Sequence, residues 1–181
     1  MRVGADHWLA GGARIVPSPN CNERPAGTAV SLVVVHGISL PPGQFGGSYI
    51  DQLFTNTLNP ADHPYFQTIA GMEVSAHVLI RRDGEVVQYV PFDRRAWHAG
   101  RSSWQGRDNC NDFSIGIELE GADDVPYAEP QYQALAALIR ELARAYPQTR
   151  GQLAGHSEIA PGRKTDPGEA FDWAHLRALL A

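Results

Sequence analysis

The stretch from Gly155 to Gly168 combines more reactive side chains than any other part of the chain. His156 is an imidazole that can be neutral near pH 7, and Asp166 follows it ten positions later. Lys164 lies between them and is the only lysine of the chain, against 14 arginines. Lysine carries a compact point charge, whereas arginine is a planar fork. The stretch therefore indicates a site where one compact cation faces an oxygen. The alternative is that the position of the single lysine has no functional meaning.

Two histidines and one aspartate could together bind a metal ion. His36 ends a predicted buried strand, His156 ends a second one, and Asp166 follows in the next loop. Two imidazoles and one carboxylate suit a hydrolytic zinc ion whose fourth position is open to water. His36 lies 120 residues before His156, and no short ligand motif links them. On spacing alone, the alternative that each histidine is a hydrogen-bonded structural residue stays open.

Glu118 lies in a strand pattern with clear alternation, from Phe113 to Leu119. One side of this strand is apolar, and the other carries Ser114, Gly116, Glu118 and Glu120. Glu118 is either a general base beside the metal or part of a solvated sheet face, with Glu120 as its equally exposed neighbour. The alternation alone does not distinguish between the two glutamates.

The elements that must position these groups predict an α/β protein with a mixed central β-sheet flanked by helices. A buried strand at 31–36 runs into a loop rich in proline and glycine, up to Gly47, that is either a lid or a static surface loop. The other predicted elements are a helix at 48–57, a hairpin of strands at 76–81 and 86–90, a helix at 131–146, a strand around Leu153 and a helix at 170–180. We expect residues 1–181 to form one domain, with 1–30 as a surface-wrapping lead-in.

The composition argues against several classes of protein. A net charge of −5 and a pI of about 5.8 do not suit a nucleic-acid-binding protein. The apolar runs are too short to span a membrane, and the arginines form no polybasic patch. The N-terminal residues lack the apolar stretch of a secretory signal, so we expect a cytoplasmic protein. Two distant cysteines, Cys21 and Cys110, fit reduced thiols better than a disulfide framework.

Five sequence blocks carry a resemblance to a known family. They are Val33–Gly43, Ser75–Ile80, Arg95–Gly100, Asn111–Gly121 and Gly155–Gly168. Together, and in this order, they resemble the amidase-2 family of N-acetylmuramoyl-L-alanine amidases, which shares its fold with peptidoglycan recognition proteins and phage-type zinc amidases. The resemblance extends from Trp8 to the last predicted helix. It is strongest to the cytoplasmic members that act on 1,6-anhydro-N-acetylmuramyl-L-alanine.

The resemblance implies a role for each group described above. By position, His36, His156 and Asp166 are expected to bind Zn²⁺. Glu118 is expected to be the catalytic carboxylate, and Lys164 to assist at the transition state. The implied reaction is hydrolysis of the lactyl-amide bond between 1,6-anhydro-N-acetylmuramic acid and L-alanine in a soluble, recycled muropeptide. We expect a monomer with no nucleic-acid or membrane partner. The alternatives are an amidase of polymeric peptidoglycan and a non-catalytic peptidoglycan-binding module.

We also expect four contacts with substrate, although Trp97, whose apolar face could stack against sugar or peptide, is equally well explained as a core aromatic residue. The residues concerned are Gly37, Trp97, Asn109 and Ala160. Close relatives commonly carry Asn where this chain has Gly37, and some carry Arg where it has Asn109. Three arginines could supply the missing charge: Arg101, Arg107 and Arg163. We interpret His77 and His98, which also lie in the matching blocks, as structural residues or as supports of the site rather than ligands.

Overall fold

The computed structural model describes all residues from 1 to 181. Its strands are β1 (Arg2–Val3), β2 (Leu9–Ala10), β3 (Arg14–Ile15), β4 (Cys21–Glu23), β5 (Leu32–Ile38), β6 (Val78–Ile80), β7 (Val86–Gln88), β8 (Arg94–Ala96), β9 (Ser103–Trp104), β10 (Arg107–Asp108), β11 (Ser114–Glu120) and β12 (Leu153–Gly155). Its helices are α1 (Tyr49–Phe54), α2 (Pro64–Thr68), α3 (Glu129–Ala145), α4 (His156–Ile159) and α5 (Trp173–Leu180). No helix combines the length and the apolar character needed to cross a bilayer.

Six of the strands form one mixed sheet in the order β12-β5-β11-β6-β7-β3. The first four are parallel to one another, and β7 runs antiparallel to β6. The predicted hairpin is therefore confirmed, with Gly84 in its turn at a φ of +89° that favours glycine. This sheet with its flanking helices confirms the predicted α/β class.

Residues 1–30 contain the strands β1 to β4. β1 pairs with β2, and β4 pairs with β8, each in an antiparallel two-stranded ribbon. β3 pairs with β7 at the edge of the central sheet. Leu9 and Val30 lie in the main apolar core. The predicted lead-in thus supplies an edge strand and two core residues.

Several predicted boundaries differ from the structure, among them those of the strand at 31–36 and of the helices at 131–146 and 170–180. The strand predicted to end at His36 is β5, which continues to Ile38 because residues 37 and 38 still pair with β11. Helix α3 begins two residues before the predicted start and ends one residue earlier, before Pro147. The last helix begins at Trp173 and not at 170, because the Asp172 carboxylate accepts a hydrogen bond from the His175 N–H and caps the helix there.

A large apolar core packs on one face of the sheet. Ile115, Ile117 and Leu119 of β11 pack with residues of α3 and α5, among them Leu135 and Leu176. Full burial of a side chain of this size contributes about 1.5–3 kcal/mol. The helical spacing in α3 and the strand alternation in β11 therefore meet in one core, as both patterns predict.

The opposite face of β11 carries the polar row, and solvent does not cover it. Glu118 is 9% exposed and Glu120 only 2%. The alternative of a solvated sheet face is therefore wrong. Residues of the loop after β5, of the turn after β6 and of the segment after β8 contact this row. Alternation along a strand reports which side chains share a face, but not what packs on that face.

Glu120 is a structural ion-pair residue. Its Oε1 accepts hydrogen bonds from the Gly46 N–H at 2.6 Å and from Arg81 Nη1 at 3.3 Å. Its Oε2 lies 3.4 Å from the Arg82 N–H. Through these contacts Glu120 ties the loop after β5 to the end of β6.

We predict that Glu120→Gln lowers the free energy of unfolding by about 1–3 kcal/mol, because the buried Arg81 loses the most deeply buried of its carboxylate partners. Urea denaturation measures the loss. Glu85→Gln is the matched control, since Glu85 pairs with the same Arg81 at 3.3 Å but is 39% exposed. An exposed pair contributes about 0.2–1 kcal/mol. Equal losses in the two variants would contradict this role of Glu120.

Candidate metal centre

The structure brings His36, His156 and Asp166 together at the end of the sheet. His36 Nδ1 lies 2.9 Å from His156 Nδ1, and Asp166 Oδ2 lies 3.3 Å and 3.1 Å from these two nitrogens. Two ligands bound at about 2.0–2.1 Å to a tetrahedral zinc ion are about 3.3 Å apart. The three potential ligand atoms therefore have nearly the spacing that one ion requires.

Strand register explains why two histidines 120 residues apart meet. β12 and β5 are parallel neighbours, with Gly155 opposite Val35. The next residue of each chain segment is a histidine, so His156 lies beside His36. Asp166 returns to the same place because its carbonyl accepts a hydrogen bond from the Ser157 N–H at 3.0 Å.

The chemistry of the donor set suits a cation. His156 Nε2 lies 3.2 Å from the carbonyl oxygen of Ala99, which only accepts, so this nitrogen carries the ring hydrogen. His156 Nδ1 is then a lone-pair donor, and it faces the Asp166 carboxylate with no hydrogen between them. Two electron-pair donors at 3.1 Å repel each other unless a positive charge lies between them. The residues therefore fit a metal ion.

The pKa of His36 is consistent with this reading. Burial lowers the pKa of His36 to about 4, so the ring is neutral at pH 7 and can act as a ligand. The centre thus contains a neutral His36 ring beside the Asp166 carboxylate.

Glu118 lies next to this centre. It is paired in register with His36 on the adjacent parallel strand, and its Oε2 is buried without a hydrogen-bond partner. Burial first, and then the charge of Asp166, raise the pKa of Glu118 well above its ordinary value, with Lys164 opposing them. A carboxylate with a raised pKa beside a metal centre is suited to accept and return a proton.

Lys164 borders the same cleft as Glu118. The cleft has a volume of about 580 Å³ and is lined by both residues together with His156 and Asp166. Lys164 forms no ion pair in the structure, although its charge acts on the pKa of both Glu118 and His36. Its ammonium group is therefore available to an oxygen of a bound molecule.

The four predicted substrate contacts divide between two neighbouring pockets. Gly37 and Trp97 line the cleft that contains Glu118. Asn109 and Ala160 line a second pocket, and Arg163 borders both. Trp97 is half-buried and donates its Nε1–H to Asn22 at 3.0 Å, so it is not a core aromatic residue.

The structure also distinguishes among the three arginines that could supply a charge near Asn109. Arg101 and Arg163 line the same pocket as Asn109. The guanidinium of Arg107 instead lies over the Phe113 ring, 3.8 Å from its centroid. Arg101 and Arg163 are thus the two candidates that this pocket contains.

Sequence reasoning missed Tyr127. Its hydroxyl donates to the Pro167 carbonyl at 2.9 Å, and a Cβ atom added to Gly37 would lie only 2.3 Å from that hydroxyl. Burial, followed by the charge of Glu118, raises the pKa of Tyr127. Glycine at position 37 therefore allows Tyr127 to pack against the end of β5, and no local sequence signal links the two positions.

The chain is similar to a known family of proteins and to several of its members. The sequence profile of N-acetylmuramoyl-L-alanine amidases matches residues 26–169. The chain is 61% identical over 174 residues to the 1,6-anhydro-N-acetylmuramyl-L-alanine amidase AmpD of Escherichia coli K12, which covers 96% of this chain and 94% of that protein.

Solved structures agree with this relationship. The crystal structure of a selenomethionine derivative of AmpD matches with a TM-score of 0.97 and 60% identity over 100% of both chains. The amidase AmiD from Escherichia coli, in complex with the substrate anhydro-N-acetylmuramic acid-L-Ala-D-γ-Glu-L-Lys, matches with a TM-score of 0.60 and 28% identity. That match covers 88% of this chain and 65% of AmiD.

The raised pKa of Glu118 predicts a pH-dependent cost to stability in the metal-free protein. A carboxyl group whose pKa is higher in the folded than in the unfolded state costs nothing below its unfolded value, here near 4.5. Above that value the cost grows by about 1.4 kcal/mol per pH unit until the folded pKa is reached. We therefore expect metal-free Glu118→Gln to be more stable than the wild type at pH 7–8.

Denaturation of both proteins between pH 4 and 8, with zinc removed, measures this difference. We expect the gain from Glu118→Gln to shrink towards zero as the pH falls to about 4.5. Glu73→Gln, at an exposed position, is the control, and its effect should be within about 0.5 kcal/mol at every pH. A gain from Glu118→Gln that is the same at all pH values would show that burial of the charge is not its cause.

Proposed function

The chain belongs to the N-acetylmuramoyl-L-alanine amidase family, and we propose that it is a zinc-dependent amidase that cleaves the lactyl-amide bond between 1,6-anhydro-N-acetylmuramic acid and L-alanine. The substrate class follows from its similarity to AmpD, which is an amidase of this bond by name. The observation that carries the proposal is the position of Glu118, whose Oε2 has no hydrogen-bond partner. Glu118 lies opposite His36 on the neighbouring strand and lines one cleft with His156 and Asp166.

We assign the metal to His36, His156 and Asp166. A zinc ion bound there would lower the pKa of a coordinated water towards about 7 and polarise the scissile carbonyl. Three protein ligands would leave a fourth position for water, as in other hydrolytic zinc sites. The residues around the centre then have to move protons and stabilise charge.

Glu118 is the group that we assign to proton transfer. It accepts a proton from the attacking water as the oxygen bonds to the lactyl carbonyl carbon. When the carbon–nitrogen bond breaks, Glu118 delivers this proton to the departing amine of L-alanine. The products are the carboxylic acid of the sugar, which releases the second proton of the water as it ionises, and a peptide with a free amino terminus. The raised pKa of Glu118 makes its carboxylate a stronger base towards the proton of the water.

Lys164 is the group that we assign to the oxyanion. Negative charge develops on the carbonyl oxygen in the transition state, and a positioned cation stabilises it more strongly than it stabilises the neutral amide. Lys164 borders the cleft and is not engaged by another carboxylate. Trp97 and Gly37 line the rest of the cleft, where they would contact the sugar or the peptide.

The proposal extends to a soluble muropeptide of peptidoglycan recycling. Support comes from AmpD and from the AmiD complex, which contains an anhydro-muramyl peptide. The cytoplasmic location and the monomeric state expected from the sequence stay predictions. Amidase activity on polymeric peptidoglycan and mere peptidoglycan binding are the outcomes that the following experiment separates.

We predict one zinc ion per chain and cleavage of a 1,6-anhydro-N-acetylmuramyl tripeptide at the bond to L-alanine. Chelation should abolish turnover, and added zinc should restore it. Glu118→Gln should keep the zinc but lose about 10²–10⁴-fold in kcat, because the proton acceptor is gone. Metal analysis and chromatography of the products measure both quantities.

Each alternative has a distinct result in this experiment. One bound zinc without cleavage, under conditions where AmpD is active, would support a binding module and refute the amidase. Faster cleavage of intact sacculi than of the soluble tripeptide would overturn the substrate but not the reaction. A Glu118→Gln protein with wild-type turnover would remove Glu118 from the mechanism.

We also predict that Lys164→Arg loses most of its activity while it still binds zinc, because the wider guanidinium misplaces the charge. Lys164→Ala should lose about 10²–10³-fold in kcat, the usual effect of removing one oxyanion donor. Arg150→Lys, at an exposed position in a turn, is the control and should be fully active. Near-wild-type turnover of Lys164→Arg would show that the identity of the lone lysine does not matter.

A further inference from the structure

The imidazole of His98 links the metal centre to the body of the protein. Its Nδ1 lies 2.8 Å from His36 Nε2, and its Nε2 lies 3.1 Å from Ser114 Oγ. Ser114 Oγ in turn lies 2.6 Å from the carbonyl oxygen of Cys110. The mechanism proposed above does not use His98 or Ser114, although they form a continuous chain of hydrogen bonds that ends at a potential metal ligand.

The direction of this chain follows from its last member. A carbonyl oxygen only accepts, so the Ser114 hydroxyl must donate its hydrogen to Cys110. Ser114 Oγ then accepts from His98, which places the ring hydrogen of His98 on Nε2. His98 Nδ1 is therefore an acceptor, and the hydrogen of His36 lies on its Nε2.

The consequence for His36 is that its Nδ1 carries a lone pair. This atom faces His156 Nδ1 and Asp166 Oδ2, at 2.9 Å and 3.3 Å. The Ala99 carbonyl imposes the same tautomer on His156. All three potential ligand atoms are then electron-pair donors with no hydrogen among them.

The fold holds the His98 ring in place from three sides. The backbone N–H groups of His98 and Ala99 both donate to Asn111 Oδ1, at 3.1 Å and 2.8 Å. The ring meets the His36 ring edge-on, with centroids 4.9 Å apart. A Cβ atom at Gly116 would lie 2.4 Å from His98 Cγ, so only glycine leaves room for the ring against β11.

We propose that His98 is a positioning residue that, together with Ser114, fixes His36 in the tautomer whose Nδ1 is ready to bind the metal. A histidine that binds a metal through one ring nitrogen commonly donates the hydrogen on its other ring nitrogen to a carboxylate, a carbonyl or a water. Here the acceptor is the imidazole of His98. It can accept through Nδ1 only while Ser114 keeps the ring hydrogen of His98 on Nε2. The inference rests on the proposed zinc ligation by His36.

The first test reads the tautomers directly in the metal-free wild-type chain. ¹⁵N-labelled imidazole correlation spectra should show the hydrogen on Nε2 of both His36 and His98. A His36 ring with its hydrogen on Nδ1 would overturn the inference. This measurement needs no substitution, so it does not depend on the folding of any variant.

The second test compares two variants of the same size at position 98. Asparagine places Oδ1 where histidine has Nδ1, so His98→Asn keeps an acceptor for His36, whereas His98→Leu has none. We expect His98→Leu to bind zinc about 10–100-fold more weakly in a chelator competition. His98→Asn should recover most of that loss. Equal affinities of the two variants would refute the inference, because packing alone would then explain the result.

The third test uses two buried serines that both bond to the segment around Cys110. Ser114→Ala removes the group that sets the His98 tautomer, and we expect several-fold weaker zinc binding and a mixture of His36 tautomers. Ser102 accepts from the Cys110 N–H at 3.1 Å and is not in the chain to His36, so Ser102→Ala should bind zinc normally. Equal zinc affinities of Ser114→Ala and Ser102→Ala would contradict the role of Ser114.

These outcomes separate the inference from the proposed function. Absence of zinc binding by the wild type would refute the metal centre itself. Tight zinc binding by the wild type and equally tight binding by His98→Leu would leave the metal centre intact and refute only the positioning role. Thermal denaturation of each metal-free variant shows whether it is folded before its affinity is measured.

Discussion

The parallel pairing of β5 with both β12 and β11 determines the arrangement of the whole cleft. Gly155 lies opposite Val35, and Glu118 lies opposite His36. A slip of one residue would move every side chain of a strand to the other face of the sheet. The same register therefore sets the contact between the two histidines and the position of Glu118 beside them. The apolar packing of the other face of β11 against α3 and α5 is what holds this register.

The polar row on β11 shows how one strand can serve both stability and chemistry. Glu120 and Ser114 have their hydrogen-bonding needs met by Arg81, Gly46 and Cys110. Glu118 lies between them in sequence, and one of its oxygens has no partner. A buried carboxylate without partners is costly, and proteins retain such groups mainly at functional sites. The contrast in contacts, which alternation along the strand cannot reveal, is what separates the two glutamates.

Much of this arrangement could be predicted from residue patterns, since those patterns report local structure. The strand alternation around Glu118, the hairpin at Gly84 and the α3 helix depend on near neighbours in sequence, and all three are confirmed. The end of β5 and the burial of Glu120 depend on pairing partners and covering loops far away in the chain. The hydrogen-bond chain from His98 is likewise non-local, because it joins β5, β11 and the segment between β8 and β11. Patterns of single residues carry no information about such contacts.

Charge balance connects the metal centre to Glu118. As metal ligands, the two imidazoles would be neutral and the carboxylate ionised. They would contribute a single negative charge, so a bound divalent cation would leave the centre with one net positive charge. A positive charge close to Glu118 favours its ionised form, whereas burial and Asp166 favour the protonated form in the metal-free protein. Metal binding and the loss of a proton from Glu118 are therefore linked thermodynamically. Had either histidine instead been anionic or replaced by a second carboxylate, this linkage would weaken, because the centre would retain less positive charge. The combination of two neutral ligands and one acidic ligand thus affects the pKa of Glu118 as well as the binding of the metal.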